Sequence, residues 1–197
     1  MRHLRTIAVA TVLTFAAPAF AQQERVTVYL TNINVTNIAD LAKAKKVAAD
    51  ILHSAEVDLQ WIFGGLPRTV AGETLQIEFL ADTPPRFATN AMAYATPYRQ
   101  GGTCIHIFYR RVEHMSSRQI TPVLLGHVMA HEIAHVLQGV ARHSDSGVMK
   151  TSWDSADYGI MAVHSLPFTA EDIDLIRGHW ASRSKTRPAS SNPVSRP

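Results

Sequence analysis

The sequence has very little cysteine: Cys104 is the only one among 197 residues. An internal disulfide bond is therefore excluded, and the fold must depend on a hydrophobic core or on a metal. Cys104 lies in an apolar segment that predicts a strand, where we expect a buried thiol rather than a nucleophile. The sequence also lacks a Gly–X–Y period, and 46% of its residues are hydrophobic, which excludes collagen-like and largely disordered proteins.

The sequence also lacks an apolar run of the roughly 20 residues that a membrane-spanning helix needs. The run from Ile7 to Phe20 is shorter, follows Arg2 and Arg5, and ends in Ala19-Phe20-Ala21. This pattern is typical of a cleaved secretory signal, and an uncleaved anchor is the alternative. We expect a signal peptide at residues 1–21, an exported chain that is secreted or periplasmic, and no membrane partner after cleavage. Only three residues then precede the first predicted strand, so we expect no latency segment.

The sequence has no excess of positive charge once the two chain ends are set aside. The formal charge is +3 and the pI about 9.2. Residues 182–197, which we expect to form a disordered tail, carry four basic residues and no acid. The predicted catalytic domain, residues 22–181, carries thirteen basic and sixteen acidic residues, a net charge of −3. The sequence therefore indicates no nucleic-acid partner.

Residue periodicity predicts an α+β fold, in which a mixed sheet has a long helix packed on it. A helical pattern runs from Asn37, a candidate cap, to Ser54. Alternating patterns predict the strands, with a further short one at Ala91–Ala95: Arg25–Leu30, Val57–Phe63, Thr74–Leu80 and Thr103–Arg111.

A second helix is predicted between Thr121 and Gly139. Thr121 followed by Pro122 is a favourable helix start, and Gly139 is a natural end. The segment is apolar nearly all round, so we expect this helix to be buried.

The buried helix carries His131-Glu132-Ile133-Ala134-His135. Histidines four residues apart lie on one side of a helix, so both can hold one zinc ion, and Glu132 can reach a water bound to it. Gly139 lets the chain turn back, and His143 can supply the third ligand. Unpaired polar groups are costly in a buried helix, which also favours a metal site.

These residues resemble the metzincin metallopeptidases, whose pattern is H-E-x-x-H-x-x-G-x-x-H followed by a Met-turn. Three further segments are similar to the matrixin branch in its Met-turn, closing helix and edge strand: His143–Met149, Phe168–Arg177 and Ala93–Gly102. The resemblance covers about Ala91 to Trp180. It implies a zincin fold with a mixed twisted sheet, a long active-site helix and a small C-terminal subdomain ending in a helix.

The spacing departs from the family pattern, because Gly139 and His143 stand one and two residues further along. The sequence reads H-E-x-x-H-x-x-x-G-x-x-x-H, so Asp145 and Glu171 remain alternatives for the third ligand. Glu171 stands beside Thr169 in a probable first helical turn, where helix capping is the expected role.

One zinc ion is expected, because the ligands of the matrixins' second, structural zinc are not recognisable around Tyr94 and Thr103. The resemblance implies that Met149 forms the hydrophobic floor beneath the zinc, with Met161 as the competing candidate. Ordinary core packing is the alternative role for both methionines.

Three further side chains near the motif have other expected roles. His127 is expected to pack, because a fourth protein ligand would close a catalytic zinc site. Tyr158 is a candidate oxyanion stabiliser. Trp153 and Trp180 are expected in the core.

The sequence thus predicts an exported, monomeric zinc endopeptidase. His131, His135 and His143 would hold zinc, and Glu132 would act as the general base. A peptide or protein substrate would lie extended along the edge strand at Ala91–Ala95. The alternatives are a non-catalytic, metal-stabilised binding protein and a zincin hydrolase of a non-peptide bond. The presence of Glu132 favours catalysis, because a structural site needs no base.

Overall fold

The computed structural model describes residues 24–67, 73–87, 91–99 and 102–186. The predicted signal peptide at residues 1–21 lies outside the described residues, as does the part of the predicted tail from 187 onward. None of the helices within the described ranges is long and apolar enough to cross a membrane.

Five strands form one sheet in the order β2-β1-β3-β5-β4. Neighbouring strands are parallel, except that the edge strand β4 is antiparallel to β5. The predicted mixed sheet is therefore confirmed. The strands are β1 Glu24–Thr31, β2 Val57–Phe63, β3 Glu73–Leu80, β4 Ala93–Arg99 and β5 Gly102–Phe108. The helices are α1 Ile38–His53, α2 Tyr109–His114, α3 Thr121–Gln138, α4 Ser155–Met161 and α5 Ala170–Thr186, and a 3-10 turn spans Ile33–Val35.

Helix α1 begins as predicted, since the Asn37 side chain accepts hydrogen bonds from the backbone N–H groups of Ala39 and Asp40. Its apolar side packs against α3 and the sheet. The buried residues on that side are Leu41, Ala44, Ala48, Ile51 and Leu52.

The two faces of the sheet differ in polarity because side chains alternate along each strand. The face toward α1 and α3 is apolar, with Val26, Val28, Leu30, Leu75, Ile77, Phe79, Ile105 and Ile107 all buried. The opposite face, called here the outer face, carries polar and aromatic side chains. Cys104 is half-buried there, and burial beside Glu78 raises the pKa of its thiol to about 11. A neutral thiol of this kind is a poor nucleophile, as expected.

One local prediction was wrong. The strand predicted to reach Arg111 ends at Phe108, and α2 follows. Phe108 and Tyr109 are both buried, and a helical turn lets Tyr109 and Val112 share one buried side, which a strand could not do. The predicted start of α3 is confirmed, because the helix begins at Thr121 with Pro122 in its first turn, and the Thr121 hydroxyl donates to the Ser117 carbonyl.

Helix α3 runs through the core and ends at Gly139, whose φ of 68° is left-handed, as predicted. It passes very close to α1 at Gly126. A Cβ atom added at Gly126 would lie 2.6 Å from Val47 Cβ and 2.8 Å from the Ala44 carbonyl oxygen. The absence of a side chain at Gly126 therefore sets how closely the histidine-bearing helix packs on α1.

We expect Gly126→Ala to destabilise the protein by about 1–3 kcal/mol, because the added methyl group forces α3 away from α1. Gly178→Ala is the matched control, since nothing lies within 4 Å of a Cβ at that helical position. The control should change the free energy of unfolding by no more than about 1 kcal/mol, in the stabilising direction. Equal effects of the two variants in urea denaturation would contradict this account of the crossing.

Candidate metal centre

Three histidine side chains converge at the C-terminal half of α3. His131 and His135 come from the helix, and His143 comes from the loop after Gly139. The Nε2 atom of His135 lies 3.0 Å from Nε2 of His131 and 3.3 Å from Nε2 of His143. A tetrahedral zinc ion with Zn–N bonds of about 2.0–2.1 Å places its nitrogens about 3.3–3.4 Å apart. The three imidazoles therefore fit such an ion.

The imidazole of His131 is oriented by the turn that contains Met149. Its Nδ1–H donates a 2.8 Å hydrogen bond to the Val148 carbonyl, which leaves Nε2 unprotonated toward the other histidines. The turn is closed by a 2.8 Å bond from the Ser144 N–H to the Met149 carbonyl. Met149 is fully buried, and only 2% of the Met161 surface is exposed. The segment predicted as a Met-turn thus holds the first histidine through its backbone.

His131 and His135 are held in the neutral form that a metal ligand requires. Burial, with a further contribution from the positive charge of His135, lowers the pKa of His131 to about 4. Burial and the neighbouring His143 also lower the pKa of His135. Both rings therefore present lone pairs rather than protons at neutral pH.

The loop that carries His143 is anchored on both sides of this residue. Arg142 Nη1 donates to Asp172 Oδ1 at 3.0 Å, and the Ser144 hydroxyl donates to the same oxygen at 2.7 Å. Asp172 is fully buried at the start of α5. The longer loop therefore still brings His143 back to the helix.

Asp172 also caps α5. Its Oδ2 accepts from the Thr169 N–H at 2.9 Å and from the Thr169 hydroxyl at 2.7 Å. Burial would raise the pKa of Asp172, but the hydrogen bonds from Thr169, Ser144 and Arg142 together hold it below its usual value. This residue was not among those predicted from the sequence. The pattern Thr169-x-x-Asp172, a capping-box signature, was the available signal.

Neither alternative third ligand reaches the cluster. Glu171 is exposed and pairs with Arg142, and the capping role expected of it belongs to Asp172. Asp145 is exposed. Within the described ranges, the ligand atoms gathered at this point belong to the three histidines.

Glu132 lies between two adjoining cavities that form a cleft. One, of about 370 Å³, is lined by the start of β4 and by Trp153 and Tyr158. The other, of about 460 Å³, has an apolar lining that includes Ala95, Val136 and Val140. Burial raises the pKa of the Glu132 carboxyl to about 7 in the metal-free chain. Burial, followed by the charge of Asp157, raises the pKa of Tyr158.

His127 packs, as expected. Its Nδ1–H donates to the Val123 carbonyl at 2.8 Å, and its Nε2 accepts from the Leu166 N–H at 3.0 Å. Both ring nitrogens are therefore occupied by protein partners. Trp153 is half-buried with its ring edge-on to His131, so it is less enclosed than a core residue. The side chain of Trp180 lies outside the described part of the chain.

Comparison with known proteins supports the fold. The chain is 13% identical to archaemetzincin from Methanopyrus kandleri, with a TM-score of 0.51 over 84% of this chain and 99% of that one. A GM1-bound ECX AB5 holotoxin has 13% identity, a TM-score of 0.39, and coverage of 81% and 80%. Myroilysin has 15% identity, a TM-score of 0.37, and coverage of 77% and 66%. No protein-family model and no curated protein matches the sequence.

The similarity to archaemetzincin shows that this chain has a metzincin-like fold. The predicted α+β, zincin-like architecture is thus confirmed. These three solved structures do not support the matrixin branch in particular, so that resemblance rests on the sequence motifs alone.

We expect Asp172→Asn to weaken zinc binding by about 10–100-fold, because the loop carrying His143 loses its charged anchor. It should also destabilise the metal-free chain by about 3 kcal/mol, since Arg142 loses its buried partner. Asp174→Asn, on the exposed side of the same helix, is the matched control and should change neither quantity. Reduced stability with unchanged zinc affinity would show that Asp172 supports α5 but does not position His143.

In the metal-free chain we expect Glu132→Gln to be stabilising at alkaline pH. Because the pKa of Glu132 rises from 4.5 to about 7 on folding, the folded state retains a proton that the unfolded state releases, so stability falls as pH rises through this range. The free energy of unfolding of the variant should exceed that of the wild type by about 1–3 kcal/mol at pH 8. Below the pKa that Glu132 has in the unfolded chain, the two free energies should be almost equal.

Urea denaturation in the presence of a chelator measures this difference. Glu113→Gln, at an exposed position, is the control variant. A constant difference between wild type and Glu132→Gln from acid to alkaline pH would contradict the assignment.

Proposed function

We propose that the protein is a zinc-dependent endopeptidase in which His131, His135 and His143 hold one catalytic zinc ion. The observation that carries the proposal is the convergence of their Nε2 atoms, at the spacing of a tetrahedral ion, beside Glu132 in an open cleft. Three protein ligands leave the fourth position of the ion open, which distinguishes catalytic from structural zinc sites.

Glu132 acts as the general base and then as the general acid. Bound zinc supplies a Lewis acid that lowers the pKa of a water molecule and polarises the substrate carbonyl. Glu132 accepts a proton from the attacking water and delivers it to the leaving amine. Its position one residue after His131 turns the carboxyl into the cleft that the histidines also line, where it would face a bound water rather than serve as a ligand.

The substrate lies extended along β4. This strand ends the sheet, so the edge that does not pair with β5 can form backbone hydrogen bonds with a peptide. Residues 91–93 line one cavity and Ala95 lines the other, so a peptide on this edge passes the histidines. The apolar lining at Val136 and Val140 suits an apolar substrate side chain.

Tyr158 stabilises the oxyanion that forms when water attacks. It lines the same cavity as Glu132 and His143. Because its pKa is raised, the phenol keeps its proton at neutral pH and can donate a hydrogen bond to developing negative charge. Met149 closes the floor beneath the histidines, as the matrixin-like motif implies.

The predicted signal peptide makes export part of the proposal, with the mature enzyme secreted or periplasmic and monomeric. The matrixin-like Met-turn and closing helix are sequence features that favour peptides as substrates. The metzincin-like fold supports the same class of enzyme.

The experiment compares the purified mature protein with its Glu132→Gln variant on an unstructured protein substrate, with and without chelator. We expect zinc-dependent cleavage by the wild type and a loss of about 10²–10⁴-fold in the variant, whose zinc content is unchanged. Glu113→Gln should cleave like the wild type.

Three other results would contradict the proposal. Bound zinc without cleavage by the wild type would favour a metal-stabilised binding protein. Hydrolysis of ester but not peptide substrates would favour the non-peptide hydrolase. A zinc content near zero would remove the site itself.

A further inference from the structure

A second group of metal-ligating side chains lies on the outer face of the sheet, remote from the zinc-binding histidines. It consists of Glu78, Cys104 and His106, whose ligand atoms all lie within 4.8 Å of one another. We propose that these three residues, named here the sheet cluster, bind a second divalent cation of the zinc type. This inference is independent of the peptidase proposal.

Strand geometry brings the sheet cluster together. Cys104 and His106 are two residues apart on β5, so both side chains leave the same face. Glu78 on β3 pairs directly with His106 in the parallel register. Ile105 and Ile107 alternate with these residues and are fully buried toward α3. The sheet itself therefore separates the sheet cluster from the three-histidine centre.

The histidine of the sheet cluster has an unmet bonding requirement. Its Nδ1 atom is buried and lies 3.0 Å from Glu78 Oε2, in an ion-pair contact that lacks the alignment of a full hydrogen bond. A misaligned contact of this kind between imidazole and carboxylate leaves a buried nitrogen unsatisfied. A cation bound by both atoms would satisfy them together.

Neighbouring side chains hold two of the ligands in place. The Tyr94 ring stacks on the His106 ring, with centroids 4.5 Å apart and an angle of 16° between the planes. The Asn32 side chain donates a 2.7 Å hydrogen bond to Glu78 Oε1. The other carboxylate oxygen is thereby left toward His106. Outer hydrogen bonds and contacts of this type orient the ligands of metal sites.

The donor set selects the class of ion. A thiolate, an imidazole and a carboxylate suit Zn²⁺ or its substitute Co²⁺ in tetrahedral geometry, with a water as the fourth ligand. Calcium and magnesium prefer oxygen ligands and are disfavoured. An ion here would join β3 to β5 and stabilise the sheet, because binding to the folded state alone adds to its stability.

A cobalt titration tests the proposal on the whole mature protein. Cys104 is the only cysteine in the chain, so a thiolate-to-cobalt charge-transfer band in the near ultraviolet reports the sheet cluster and no other site. We expect this band in the wild type, with saturation at one equivalent of thiolate-bound cobalt and two cobalt ions per chain in total. Failure of the three-histidine centre would leave the band intact.

Variants then assign the ligands. We expect Cys104→Ser to abolish the band and Glu78→Gln to weaken this cobalt binding by about 10–100-fold. Thr96→Val is the matched control. Thr96 lies on β4 opposite Cys104 of β5, and its hydroxyl donates a hydrogen bond to the Cys104 carbonyl, so it is a neighbour of the sheet cluster but not one of its ligands. The control should retain the band.

A second measurement on the unchanged protein covers the case in which a variant fails to fold. Bound Zn²⁺ should slow alkylation of Cys104 by iodoacetamide at least tenfold relative to the chelated protein. A folded wild type that shows no thiolate band and no protection by zinc would overturn the proposal, and the sheet cluster would then be a simple ion pair beside a free thiol.

Discussion

The burial of α3 is the constraint on which the rest of the structure depends. This helix is enclosed by the sheet, α1 and the C-terminal segment, yet it carries polar side chains. A buried polar group without a partner costs several kcal/mol, so partners for these side chains contribute to the stability of the fold. His127 accepts from the Leu166 N–H, and His131 donates to the Val148 carbonyl. Gln138 donates to Asp172. Each bond ties a different part of the C-terminal segment to the helix.

The same bonds make the histidine cluster. The turn that satisfies His131 also orients its ring, and the aspartate that meets Gln138 also holds Arg142 and Ser144 around His143. The same hydrogen bonds therefore stabilise the fold and position the three histidines. Burial disfavours charge at this centre: it lowers the pKa values of His131 and His135 and raises that of Glu132. A bound dication would use the neutral imidazoles as ligands and would favour the ionised form of the Glu132 carboxyl. It would therefore be compatible with the histidine pKa shifts and would offset the effect of burial on Glu132.

Local patterns in the sequence predicted the elements that depend on near neighbours. Asn37 caps α1 and Gly139 ends α3 because these roles require only a suitable side chain or a left-handed φ at one position. Alternation predicted the strands, but it failed at Phe108 and Tyr109, where two consecutive buried residues required a helical turn. Whether a segment is buried on both sides depends on the elements that pack against it, and residue periodicity carries no information about those elements.

The sequence by itself determined that His131 and His135 share one side of a helix with Glu132 beside them, because residues four apart on a helix are neighbours whatever surrounds it. It also determined a turn that could return a third ligand. The tertiary structure alone decided that His143, rather than Asp145 or Glu171, lies beside the two helix histidines, because this placement depends on Asp172 reaching the loop from α5. It also decided that Glu78 meets Cys104 and His106, since strand order and register, not distance along the chain, bring them together.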